Sequence, residues 1–117
     1  MHRYRDLKFW QESKSLSVEI YRMTSNFPKE EKFGIIDQMR RASVSIPSNI
    51  AEGSSRNSNK DFSRFIDYSM GSAYELETQL EISKELGFLH WEEHSVLSTK
   101  LTSIIKQMSK FRASCLS

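Results

Sequence analysis

Apolar residues recur every three or four positions in four separate segments of this chain. That spacing puts the apolar side chains on one side of a helix. In the last segment His94, Leu97, Leu101, Ile104, Met108, Phe111 and Cys115 follow a seven-residue repeat, with Lys106 and Lys110 on the opposite face. In the first, Phe9, Ser13, Leu16, Ile20, Met23 and Phe27 are spaced 4, 3, 4, 3 and 4. Leu7, Trp10, Val18 and Tyr21 lie to one side of that stripe, so this helix is expected to bury two faces. Four such helices with short connections predict an all-α, up-down-up-down, left-handed four-helix bundle in a single domain.

The expected helices span about 6–25, 29–52, 59–86 and 91–113. Asp6 reads as the cap of the first, and Asn26-Phe27-Pro28 breaks it. Pro28 followed by Lys29-Glu30-Glu31 reads as the start of the second, with acids at its positive end. The second helix carries a buried seam of Ile36, Met39, Ser43, Ile46, Ile50 and Gly53 and contains Pro47, which costs roughly 3 kcal/mol in a regular interior. Two explanations stand. One is a kink that improves packing, with Ser43 or Ser45 bonding the freed carbonyls; the other is a bend that presents Asn49, Glu52 and Arg56 to a partner. Gly53 is expected to stop this helix in the left-handed region, Ser58 or Asn59 to cap the third, and Gly87 to close it. The small residues Ser69, Gly71, Ser72 and Ala73 predict the tightest helix crossing there, against the second helix near its proline.

At 117 residues the chain is long enough to bury about two thirds of its extended surface without metals or disulfides. The single cysteine, Cys115, has no partner in the chain, which fits a reducing compartment. The N-terminal MHRYRDLKFW has charges but no apolar run behind them, and no segment approaches the length of a bilayer span. A cytoplasmic protein with no membrane contact is the expectation. Seventeen basic and fifteen acidic side chains leave a net charge of +2, too small to argue nucleic-acid binding by itself.

Most catalytic patterns fail. His2, His90 and His94 lack metal-ligand spacing, no Glu-x-x-His motif of a di-iron bundle occurs, and there is no phosphate loop or nucleophile elbow. No cofactor is implied. One constellation remains: Arg41, Ser45, Asn49 and Glu52 on the second helix, Arg56 after it, and Ser72 and Glu75 on the third form one polar cluster if the two helices cross near Pro47. Read structurally, Arg41 pairs with Glu75 or Glu52, Asn49 bonds backbone loosened by the proline, and the network fixes register. Read functionally, the cluster faces a partner chain, an RNA phosphate or a small molecule. Candidate phosphate contacts are Arg40, Arg41, Arg56, Lys60, Lys106 and Lys110. Leu7, Trp10 and Tyr21, with Tyr68, Ile82 and Leu86 from a second row on the third helix, are candidates for packing between chains.

QMRRASVSIPSNIAEGSSR, preceded by FWQESKSLSVEIYRMTSNFPKEEKFG and followed by FSRFIDYSMGSAYELETQLEISKELGFL, resembles the bacterial four-helix-bundle family of 23S rRNA-intervening-sequence proteins, also called S23 ribosomal proteins. The resemblance runs from about Leu7 into the fourth helix. It implies a protein without established biochemical role. The related accessory variability protein of diversity-generating retroelements forms a pentameric barrel that binds nucleic acid and a reverse transcriptase. By that analogy this chain forms a homopentamer that acts as a scaffold and binds RNA or a ribonucleoprotein. Its net charge departs from the basic surface of that relative, and phosphate affinity scales with the number of cations engaged. A small-molecule binder or enzyme using Arg41, Asn49, Glu52 and Glu75 is the alternative.

Overall fold

The structure, a computed structural model, describes residues 2–117. Four helices make it up: α1 (Lys8–Thr24), α2 (Ile35–Ser54), α3 (Asn59–Glu85) and α4 (Trp91–Leu116). Each packs against the next, and α4 closes on α1. Cross-helix bonds fix the directions. Ser17 meets Ser43 at 3.1 Å while Arg40 reaches Thr24, and the Ser69 hydroxyl donates to the Ile46 carbonyl at 2.8 Å while that of Ser72 donates to Ser45. Gln107 donates to Glu12 at 2.7 Å while Lys100 donates to Glu19, and on α3 and α4 Glu81 meets His94 while Asp67 meets Arg112. Residue numbers rise on one helix as they fall on its neighbour, which is the up-down-up-down four-helix bundle, 44 Å long and 24 by 20 Å across.

The apolar stripes converge on one core. Leu16, Ile20, Met39, Ile46, Ile50, Ile66, Leu76, Leu80, Leu101, Ile104 and Met108 are essentially inaccessible to solvent, and each such side chain contributes about 1.5–3 kcal/mol by leaving water. The hydroxyls that fall on the stripes are accommodated locally. Thr24 donates to the Ile20 carbonyl at 2.7 Å and Ser13 to that of Trp10 at 3.0 Å, so their burial leaves no donor unpaired.

Several helix ends differ from the sequence expectation, each for a local reason. Asp6 does not cap α1. It closes a 3-10 turn at Tyr4–Asp6, and Leu7 takes the cap position without a side-chain bond. Pro28 and Lys29-Glu30-Glu31 start a separate 3-10 turn, and α2 begins only after Gly34. Gly53 does not end α2 in the left-handed region; the helix runs on to Ser54, and Gly87 alone among the described residues has positive φ, +78°. A Cβ on Gly53 would stand 2.5 Å from the Phe65 Cβ and 2.8 Å from the Phe62 ring, so this glycine sits where α3 comes closest. Ser58 caps α3, accepting the Asp61 N–H at 3.1 Å. At the other end Gly87 and Phe88 N–H groups return to the carbonyls of Lys84 and Ser83, the paired bonds of a Schellman stop.

Candidate functional site

α2 and α3 meet through hydroxyls. The Ser72 hydroxyl donates to Ser45 Oγ at 3.0 Å, and the Asn49 amide donates to that same oxygen at 3.0 Å and to the Ser45 carbonyl at 2.9 Å. This small network is the part of the expected cluster that the fold brings together. Its other members are engaged elsewhere. Arg41 pairs with Asp37 one turn upstream at 2.9 Å, not with Glu75 or Glu52. Glu52 pairs with Arg56 at 3.3 Å, and the Arg56 guanidinium lies over the Phe65 ring at 4.6 Å. Glu75 is exposed and has no cation within ion-pair distance among the described residues. Neither Ser43 nor Ser45 bonds the carbonyl freed by Pro47: Ser43 donates to Arg40 O, while Ser45 Oγ accepts from its neighbours.

The six candidate phosphate contacts do not share a surface. Arg40 is turned onto α1, where it donates to the Thr24 hydroxyl and the Tyr21 carbonyl and covers the Tyr21 ring at 4.7 Å. Arg56 and Lys60 line an open cleft of about 480 Å³ around the α2–α3 loop, with Asp61 and Arg64 across it. The hydrogen bond to the Tyr68 hydroxyl, followed by the ion pair to Asp61, raises the Arg64 pKa, and Asp67 raises that of Arg112, so both stay charged at any working pH. Lys106 and Lys110 project from the outer face of α4.

The interface candidates divide as well. Leu7 and Trp10 are partly buried against the core, and the Trp10 ring packs edge-on to Tyr4 at 4.9 Å. Tyr21, Tyr68, Ile82 and Leu86 remain 43–59 % exposed. Their row is interrupted by Gln79, which is buried with its Oε1 unbonded. No group of His, Cys, Asp and Glu among the described residues has metal-site geometry, and no described helix is long and apolar enough to cross a membrane. Burial pushes the Cys115 thiol above its usual range, which suppresses its thiolate.

Against this geometry, the sequence profile of the 23S rRNA-intervening sequence proteins matches residues 5–110. The chain belongs to that family. Among solved structures, a protein of unknown function from the S23 ribosomal protein family of Bacteroides thetaiotaomicron VPI-5482 superposes with a TM-score of 0.80 at 23% identity, over 89% of this chain and 97% of that one. No curated protein matches the sequence.

In this 23S rRNA-intervening sequence protein the fold reveals a feature that reading each helix alone misses. Residues 15–18, 42–51, 68–74 and 101–105 carry no charged side chain. Contacts such as Ser17–Ser43, Ile46–Ser69 and Ser45–Ser72, with Lys100–Glu19 and Gln107–Glu12 bracketing the α4 stretch, put these stretches at one level of the bundle. Together they form an uncharged waist, on which Val18, Val44, Tyr68 and Tyr74 are 41–50 % exposed. The signal was present in the sequence as four gaps in the charge pattern, but only the antiparallel register aligns them.

Proposed function

We propose that this chain is a non-enzymatic, self-associating helical-bundle scaffold that engages RNA or a ribonucleoprotein, with a homopentamer as its assembled state. The observation that carries the reading is the waist. Half-exposed valines and tyrosines on stretches without charged side chains are suited to side-by-side packing of bundles, because burying Val18, Val44 and Tyr74 against another copy removes apolar surface from water, and Arg64, which bonds the Tyr68 hydroxyl, keeps its ion pair with Asp61. The hydroxyl network of Ser45, Asn49 and Ser72 lies on the same level and supplies the polar bonds such an interface needs. The alternative of a ligand pocket built from Arg41, Asn49, Glu52 and Glu75 draws less support, since Arg41 is paired within its own helix and Glu52 with Arg56 just past its end.

Light scattering coupled to size exclusion tests the assembly. The wild type is expected to elute as a multiple of the 13.7 kDa chain. A Val44→Lys, Tyr68→Lys double variant is expected to elute as a monomer with unchanged helicity by circular dichroism. A monomeric wild type at tens of micromolar, or a variant of unchanged mass, removes the waist as an interface.

A further inference from the structure

Above and below the waist the charges separate by sign. The half containing both chain ends and the α2–α3 loop (residues 2–14, 47–69 and 106–117) holds ten Lys and Arg side chains against five Asp and Glu. The opposite half (15–46 and 70–105) holds seven against ten. A net charge of +2 thus conceals +5 at one end and −3 at the other. In the basic half the carboxylates are already taken. Asp6, Glu52, Asp61 and Asp67 pair with Arg3, Arg56, Arg64 and Arg112, and Glu12 accepts from Gln107. What remains is six cations with no carboxylate within 4 Å among the described residues: Arg5, Lys8, Lys14, Lys60, Lys106 and Lys110. They come from three of the four helices and the segment before α1, so they are spread over the basic half, from Lys14 and Lys106 next to the waist to Arg5, Lys8 and Lys60 toward its end, rather than forming a stripe along one helix.

We infer that RNA docks on this end alone, through its phosphates, and that the opposite, acidic end is held away from it. The inference rests on the RNA-binding reading above and adds its location, its chemistry and its polarity. With a Debye length of about 8 Å at physiological ionic strength, the two ends of a 44 Å bundle act as separate electrostatic surfaces. A polyanion at the basic end is therefore little affected by the acids at the other. Contacts of lysine with phosphate carry no sequence information, so the recognised feature is the spacing and density of phosphates. If bundles associate side by side at the waist with their axes aligned, the cations of all copies fall on one rim and their number multiplies. Arg40 and Arg41 lie in the acidic half and take no part.

The test compares two triple variants with the wild type for binding a labelled rRNA hairpin across a salt series, each checked for helicity and mass. Lys8→Gln, Lys60→Gln, Lys110→Gln removes unpaired cations of the basic end; Arg22→Gln, Lys29→Gln, Lys32→Gln removes exposed cations of the other. The expected result is at least a tenfold loss of affinity at low salt for the first variant, with the log–log salt slope shallower by about 2 or more, since each lost phosphate contact is worth about 0.7–0.9. The second variant is expected to match the wild type. Wild-type protein that binds no RNA at low salt overturns the RNA reading and this inference with it. Binding that both variants weaken equally, or only the second weakens, overturns the location and leaves the RNA reading standing. A salt-sensitive rise in mass of the protein alone, abolished by the first variant, also overturns the inference, because the basic end is then occupied by acidic ends of other copies.

Discussion

Two glycines show how different the demands on one residue type can be. Gly53 is pressed against α3, whereas a Cβ on Gly71 meets nothing within 4 Å. Gly53→Ala is expected to destabilise, because overpacking of this kind costs about 1–3 kcal/mol and the gain in helix propensity returns only about 1. Gly71→Ala, on the exposed side of α3, keeps that gain of about 1 kcal/mol without a clash. Denaturant midpoints that move in opposite directions bear this out; a shared direction contradicts it. From sequence, Gly53 reads as a left-handed helix stop and the closest approach falls at Ser69 to Ala73. The hydroxyl contacts of Ser69 and Ser72 are indeed there, but the position that tolerates no side chain at all is sixteen residues earlier in the chain, on the other helix. A glycine's own neighbours in sequence reveal its conformational freedom; they do not reveal the distance to a helix packed across from it.

Helix interiors were far more legible than helix ends. The core positions of α1 and α4 follow from spacing because burial on a packed helix has the period of the helix itself. Ends depend on single hydrogen bonds, and there several residues compete. Asp6 has the right chemistry for a cap but is used by the turn before α1, whereas Ser58 makes the bond its type predicts. Ser58→Ala is expected to cost about 1 kcal/mol, the usual worth of such a cap, with thermal unfolding as the readout. No change in midpoint would mean that α3 is held by its neighbours from its first turn. The expected polar cluster failed for a related reason. Arg41 and Glu52 each had a partner four residues away in sequence, Asp37 within the helix and Arg56 just past its end, and a pair so local forms without any tertiary closure. Ser45, Asn49 and Ser72 have no such local competitor of opposite charge, and they are the three that meet.

The molecule as a whole is a bundle whose charges are sorted along its axis and whose middle is uncharged. Neither property is visible in a net charge of +2. The run from His94 to Ser117 is basic in sequence, but it acquires meaning only when the fold sets Lys106 and Lys110 in the same half of the bundle as Lys8 and Lys60. Such sorting makes the bundle an electric dipole, and a dipole turns before it touches. Approaching a polyanion, it rotates its positive end forward, so that more collisions arrive in a productive orientation. The consequence is kinetic. On the proposal that the protein binds RNA, added salt is expected to slow association more steeply than it hastens dissociation, and stopped-flow traces at several ionic strengths would separate the two. A salt effect carried entirely by the dissociation rate would mean that the protein meets its partner without being turned toward it.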